Sequence, residues 1–476
     1  MSRPSDALVT SCSAAGSLGG QADGGAASAA RPPNAAPEPG AAPAVPGGEA
    51  EEHVSLDPLI GRLVPRAMFT GGNQVRLLRG GDELFPAMLR AIAAARHEIW
   101  LATYIFNDDP AAMRVAAALC EAAARGVQVR IVIDGFGSRA TYPAIKRMFC
   151  DAGVGIAVFR PIHRWWNWLQ PGQLRRLHQK LCVIDGEVGF VGGINIIDDR
   201  FDQNHGWTDE PRLDFAVEMR GPVVAPIEQA GRAMWSRAQL GEDFIEEVIA
   251  LARGAKPVAH AKRLLKRLRM PELKQSRVRL ADLPPVRAAF VLRDNLRRRR
   301  TIERSYIAAI RKATTRIDLA SPYFYPGGGF RAALRQAARR GVRVRLLMQG
   351  KLDYRIAGLA ARSLYDELLA SGVHIYEYTP AFLHAKVALT DDEWATIGSS
   401  NIDPLSLLLN LEANVVVRDA GFNAQLATEF DRAIAVSREI DAAQVRGHRV
   451  EGALRRGLIA WCAHVYLRIA GATGKY

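Results

Sequence analysis

A chain of 476 residues, 49% of them hydrophobic, is long enough for a large core and two to four domains. Its formal charge of +14 suits an anionic partner, either nucleic acid or the anionic face of a membrane, and says nothing about fold. The five cysteines, Cys12, Cys120, Cys150, Cys182 and Cys462, are scattered without a CxxC pair, which argues against a disulfide framework or a zinc site and for a reducing compartment.

No stretch reads as a transmembrane helix, and residues 1–20 lack the continuous apolar core of a secretory signal, so any membrane contact is expected to be peripheral. Residues 1–55, rich in Ala, Pro, Gly and Ser, cannot bury enough apolar surface to offset their ordering entropy and read as disordered. A strand at 75–78 is followed by the turn Gly80-Gly81-Asp82, a helix over 83–95 and a buried strand over 99–106. A helix over 110–125, ended by Gly126, and a strand over 127–134 complete a β-α-β-α-β rhythm, hence a parallel or mixed sheet covered by helices.

The same phrase returns later: residues 310–320 echo 92–102, and 339–345 echo 124–130. A repeat this long indicates a duplicated domain. The halves are placed at 56–240 and 285–440, with a basic helical linker at 241–284 and a basic amphipathic segment at 441–476. The basic stretch 256–304 is either a solvated helix or a patch for anionic headgroups, and 454–470 either a docked helix or an interfacial one.

Each half carries one motif. His178-Gln179-Lys180, then Asp185, then Gly192-Gly193-Ile194-Asn195, matches His384-Ala385-Lys386, Asp391 and Gly398-Ser399-Ser400-Asn401. Read as strand, tight turn, strand, the motif points His178 and Lys180 the same way, and His384 and Lys386 likewise. Two lysines, two histidines and the amides of Asn195 and Asn401 in one cleft make a phosphate pocket that needs no metal. One histidine can attack phosphorus while the other moves the proton. Asp214 and Glu412, at matching downstream positions, are assigned to orient the histidines. Asp185 and Asp391 are counted with the catalytic set, although their place suits holding the turn better than touching substrate.

His-x-Lys-x-x-x-x-Asp followed by Gly-Gly/Ser-x-Asn, present twice, resembles the phospholipase D superfamily over roughly residues 70–435. The resemblance implies a duplicated α/β fold, two mixed-sheet halves related by a pseudo-twofold axis with one active site at their interface. It also implies a cofactor-free, metal-independent phosphohistidine mechanism on His178, Lys180, Asn195, His384, Lys386 and Asn401, with His178 as nucleophile and His384 as acid/base. Residues 398–406 and 409–414, with 104–109, 134–138 and 321–324, are similar to bacterial cardiolipin synthases, and the polar N-terminus points to the B type, which lacks N-terminal transmembrane helices. That branch implies phosphatidyl transfer with phosphatidylglycerol as donor and acceptor, at the cytoplasmic side of an anionic phospholipid membrane. A phospholipase D-type hydrolase, another phosphatidyltransferase and a nuclease of the superfamily use the same residues. Trp165, Trp166, Trp168 and Leu169 form either a buried cluster or a membrane-facing loop; Arg164, Arg175 and Arg176 nearby favour the loop, and with it lipid over nucleic acid.

Overall fold

The computed structural model describes residues 67–161, 175–253, 279–294, 298, 300–351, 358, 361–403, 406 and 410–441, all within one compact unit. Residues 1–55, the tryptophan run 165–168 with Leu169, the basic stretch from 256 to 278 and the segment 454–470 lie outside the described residues.

Two mixed sheets carry the fold. The first half supplies β2 (Gln74–Arg79), α1 (Gly80–Ala94), β3 (Glu98–Thr103), α2 (Pro110–Ala124), β4 (Gln128–Asp134), α3 (Tyr142–Asp151), β5 (Gly155–Phe159), β6 (Leu181–Ile184), β7 (Val188–Gly192) and β10 (Phe215–Arg220). Its strand order is β2-β10-β7-β6-β3-β4-β5. The second half supplies β11 (Arg287–Arg293), α5 (Thr301–Lys312), β12 (Arg316–Ser321), α6 (Gly328–Arg339), β13 (Arg343–Gln349), α7 (Tyr365–Leu369), β14 (His374–Tyr378), β15 (Val387–Thr390), β16 (Trp394–Gly398), β17 (Glu412–Arg418) and β18 (Ser437–Glu439). Its order is β11-β17-β16-β15-β12-β13-β14-β18, and β1 (Phe69–Thr70) adds to the β11 edge. The chain thus begins its first half with a strand in the second half's sheet. A small hairpin of β8 (Phe201–Asp202) and β9 (Gly206–Trp207) stands apart.

The central strands are buried on both faces and therefore read as continuous apolar runs, such as Leu181–Ile184 and Val387–Thr390. Helix α2 starts where the sequence predicts: Pro110 is its first residue, and the Asp109 carboxylate accepts from the N–H groups of Ala111 and Ala112. Helix α1 starts three residues before the expected 83, taking in the Gly80-Gly81-Asp82 turn, and β3 ends at Thr103 rather than 106.

Helices α1 to α3 cover the outer face of the first sheet, and α5 to α7 that of the second. Between the sheets lies a shared core that also holds α4 (Val224–Arg253), through Ile227 and Met234, and α8 (Ala420–Ala435), through Leu426 and Phe430. Helix α4 continues past 240, so the first half's last helix runs into the stretch read as linker. Leu181 and Val183 of β6 and Val387 and Leu389 of β15 all enter this shared core, which brings the lead-ins to the two strands into one region.

Candidate active site

The two halves are stitched by backbone bridges at the point where each motif begins. The His178 N–H donates to Leu411 O at 3.0 Å and the Leu411 N–H to Arg176 O at 2.9 Å; the His384 N–H donates to Leu213 O at 2.9 Å and the Leu213 N–H to Phe382 O at 2.9 Å. Each bridge is a short parallel pairing, Leu177 with Leu411 and Leu213 with Leu383. Leu411 is followed by Glu412 and Leu213 by Asp214, so each bridge delivers a carboxylate to the histidine of the other half. His178 Nδ1 lies 3.0 Å from Glu412 Oε2, and His384 Nδ1 lies 2.6 Å from Asp214 Oδ2. Asp214 and Glu412 each lie against one histidine ring nitrogen, and the pairing is crossed between the halves.

The histidines and lysines do not stand on strands: β6 begins at Leu181 and β15 at Val387, so both pairs occupy the extended lead-in. Residues two apart still share a face there. The Lys180 ammonium donates to His178 O at 2.8 Å, and that of Lys386 to His384 O. Both lysines are buried, as are Asn195 and Asn401. Asn195 Oδ1 accepts from the Ile105 N–H at 3.2 Å, which leaves its amide protons as donors. Asn401 Oδ1 is buried with no hydrogen-bond partner among the described residues.

Asp185 and Asp391 are not brought to this group. Each sits at the far end of its strand in the left-handed conformation, at φ 52° and 47°. The Asp185 carboxylate accepts from the N–H groups of Arg96, His97 and Glu98 at 2.8 Å each. Asp391 accepts from those of Thr314, Thr315 and Arg316 at 2.9 to 3.0 Å. Both carboxylates clamp the turn to the helix–strand junction beneath it, a place that suits holding the turn. The repeated geometry at both ends confirms the duplication residue by residue.

The family model described as cardiolipin synthase, PLD-like domain, matches residues 88–207 and 306–434, just over half of the chain. The chain belongs to that family. A cardiolipin synthase B of Salmonella typhi is 39% identical over 355 residues, 75% of this chain and 79% of that protein. A cardiolipin synthase A of Pseudomonas entomophila is 32% identical over 80% of this chain and 72% of that one. Among solved structures, the phosphatidylserine synthase of Haemophilus influenzae Rd KW20 superimposes with a TM-score of 0.59 over 84% of this chain and 95% of that one, at 11% identity, a likeness of fold.

Within this member of the cardiolipin synthase family the two histidine–carboxylate pairs differ. Burial raises Glu412, but the His178 and Lys180 charges and a 2.5 Å bond from the Ser399 hydroxyl outweigh it and hold the carboxyl below its usual range. Asp214 has no such hydroxyl. Its motif has Gly193 where the other has Ser399, and a Cβ at Gly193 would stand 2.3 Å from Asp214 Oδ1. Burial pushes the Asp214 carboxyl up to about 7 despite Lys386 and the Phe215 N–H. Burial lowers both imidazoles, His384 well below its ordinary value. It also brings Lys180 down to about 7 and Lys386 to about 8. Glu412 is thus held toward its ionised form beside His178, whereas Asp214 is pushed toward its protonated form beside His384.

Sequence reasoning missed several neighbours. The Tyr104 ring stands edge-on to His178 at 5.1 Å, with the Lys180 ammonium 5.4 Å from its centre. Ser399 was read only as a motif letter, and the Arg212 charge bears on His384. Tyr104 and Arg212 arrive from segments that the motif spacing does not mark, and Ser399, although a letter of the motif, has no serine counterpart at Gly193 to draw attention to it.

Proposed function

We propose that the protein is a cardiolipin synthase that moves a phosphatidyl group from one phosphatidylglycerol to another through a phosphohistidine. The observation that carries the mechanism is the crossed pairing of His178 with Glu412 and His384 with Asp214. With Glu412 accepting the Nδ1 proton, His178 presents an unprotonated Nε2 to phosphorus. With the raised Asp214 carboxyl holding the proton on the Nδ1 side, the neutral His384 carries its own proton on Nε2 and gives it to the departing glycerol oxygen as Nδ1 takes the proton from Asp214. In the second half-reaction the acceptor's hydroxyl gives its proton to His384, its oxygen bonds to phosphorus and the bond to His178 Nε2 breaks. Lys180 and Lys386 neutralise the phosphoryl oxygens, and Asn195 donates to them.

The protein works at the surface of an anionic phospholipid membrane, as a peripheral protein on the cytoplasmic side. No helix among the described residues is long and apolar enough to cross a membrane. Two large apolar side chains are exposed on segments that adjoin the site: Phe136, after β4, at 41%, and Trp207, on the β8–β9 hairpin, at 60%. Both suit an interfacial seat.

The test offers purified protein vesicles of radiolabelled phosphatidylglycerol and, separately, single-stranded DNA. Cardiolipin and free glycerol in equal amounts are expected. Phosphatidic acid alone would point to a hydrolase, and cleaved DNA with untouched lipid would contradict the reading.

A further inference from the structure

Between Asp151 and Asp185 the sequence has no carboxylate, yet it carries Arg160, Arg175, Arg176 and Lys180 beside the first histidine. The structure links Arg160 with Arg176 and with the Arg175 backbone, and the charges of Arg175 and Arg176 both bear on Arg160. Arg176 stands two residues before His178 on the same extended lead-in, so the two share a face about 7 Å apart along the chain. Its Nη1 donates to Arg160 O at 3.1 Å, and Arg160 Nη1 donates to Arg175 O at 3.4 Å. The Arg176 guanidinium lies 5.6 Å from the ring centre of exposed Phe136, and that of Arg160 lies 5.3 Å from Phe159. These contacts run to backbone carbonyls and to aromatic rings.

Among the described residues Asp134 is the acid within ion-pair reach of the cluster, and its carboxylate also serves backbone amides. Asp134 Oδ1 is 3.7 Å from Arg176 Nη1, but its carboxylate accepts from the N–H groups of Phe136 and Leu177 at 2.8 Å each and of Gly137 at 3.2 Å. Arg160 is lowered to about 10 by burial, then by the neighbouring charges of Arg175 and Arg176, with Asp134 offsetting only part. The cluster adjoins the catalytic pocket: the Ser138 hydroxyl of the Phe136 loop donates to the carbonyl of Tyr104, whose ring packs on His178.

We propose that Arg160, Arg175 and Arg176 seat the phosphodiester of the second, acceptor phospholipid. The proposal rests on the lipid-transfer reading above and asks what that reaction needs in addition. Two lipids joined through one glycerol bring two phosphate monoanions to the site. The His–Lys pocket is filled by the phosphorus under attack, so the acceptor's own phosphate needs cations one glycerol away. Arginine's planar fork matches two phosphate oxygens at once. Water and simple alcohols carry no second phosphate, so the cluster holds the lipid acceptor in preference to them and turns the phosphohistidine toward transfer.

The test measures product ratios. Wild-type protein and the variants Arg160→Gln, Arg175→Gln and Arg176→Gln are given labelled phosphatidylglycerol vesicles with ethanol, and in a parallel arm with soluble glycerol 1-phosphate. A fall of about tenfold or more in the ratio of cardiolipin to phosphatidylethanol is expected for at least two of the variants. The glycerophosphate product should fall against phosphatidylethanol in the same variants. Arg147→Gln on α3, a charge loss away from the cluster, should leave both ratios unchanged. Because phosphatidylethanol reports a folded active site, a variant that makes none is replaced by its Lys counterpart, for which a smaller fall in the same direction is expected. Proportional loss of all products, or the same change with Arg147→Gln, would mean general attraction to the anionic surface and would overturn the proposal. If the wild type transfers to no acceptor, the lipid-transfer reading fails instead.

Discussion

Replacing Glu412 by Gln tests the division of labour between the two histidines. Glu412 is fully buried, and its Oε2 is 3.0 Å from His178 Nδ1. When His178 Nε2 bonds to phosphorus the imidazole becomes cationic, and the carboxylate stabilises that charge. At this separation and an effective dielectric of ~20 the attraction is about 5 kcal/mol. The amide of Gln still accepts the Nδ1–H, and that neutral bond retains about 1 kcal/mol. The barrier to phosphoenzyme formation should therefore rise by about 3–4 kcal/mol, a 10²- to 10³-fold loss. Asp214, already pushed up to about 7, is substantially protonated near neutral pH. Asp214→Asn removes less charge and should slow the same step only about tenfold. The assay is rapid quench of a single turnover into alkaline detergent, with lipid labelled at phosphorus, counting label on protein. Equal losses, or a larger loss for Asp214→Asn, would refute the assignment of His178 as nucleophile.

Three further outcomes are expected. The pH profile of kcat/KM should fall on the alkaline side between about 7 and 8, because a bound phosphate needs Lys180 and Lys386 charged and these lose their protons near 7 and 8. Its acid limb should lie below 6.5, because burial lowers His178, which must be neutral to attack; an acid limb above 6.5 would contradict this. Ser399→Ala removes the hydroxyl that donates to Glu412 and accepts from the buried Ala413 N–H, so it should cost about tenfold in phosphoenzyme formation and about 1–2 kcal/mol of stability, read by quench and calorimetry. Asp391→Ala should lower stability by about 1–2 kcal/mol while kcat of the folded protein changes less than about threefold, since Asp391 holds three backbone amides and no catalytic group. Burial works against the ionised carboxyl, but these bonds depress its pKa to about 2. Its contribution should be complete above about pH 4 and vanish as pH falls through about 2, seen as convergence of wild-type and variant melting curves.

Much of the site was legible because its residue types recur at fixed spacing. His178, Lys180 and Asn195 and their counterparts could be named without coordinates, as could Asp214 and Glu412. The pairing could not. Which carboxylate meets which histidine is decided by the Leu177–Leu411 and Leu213–Leu383 bridges, tertiary pairings between segments about two hundred residues apart. The spacing also led to strands where the chain only approaches one, because His178 and His384 must clear the sheet edge to face each other. The duplicated α/β rhythm announced two sheets, but the strand exchange of Phe69–Thr70 into the second sheet depends on a two-residue pairing too short to carry a periodic signal.

The central claim is that one covalent phosphatidyl-histidine forms at His178 and is discharged with help from His384. Protein quenched in alkaline detergent, which preserves the acid-labile P–N bond, then digested at alkaline pH and read by mass spectrometry, should carry the label on the peptide containing His178. The label should be absent in His178→Ala and accumulate in His384→Ala given a donor with a good leaving group. Label on His384, or turnover surviving in His178→Ala, would contradict the account.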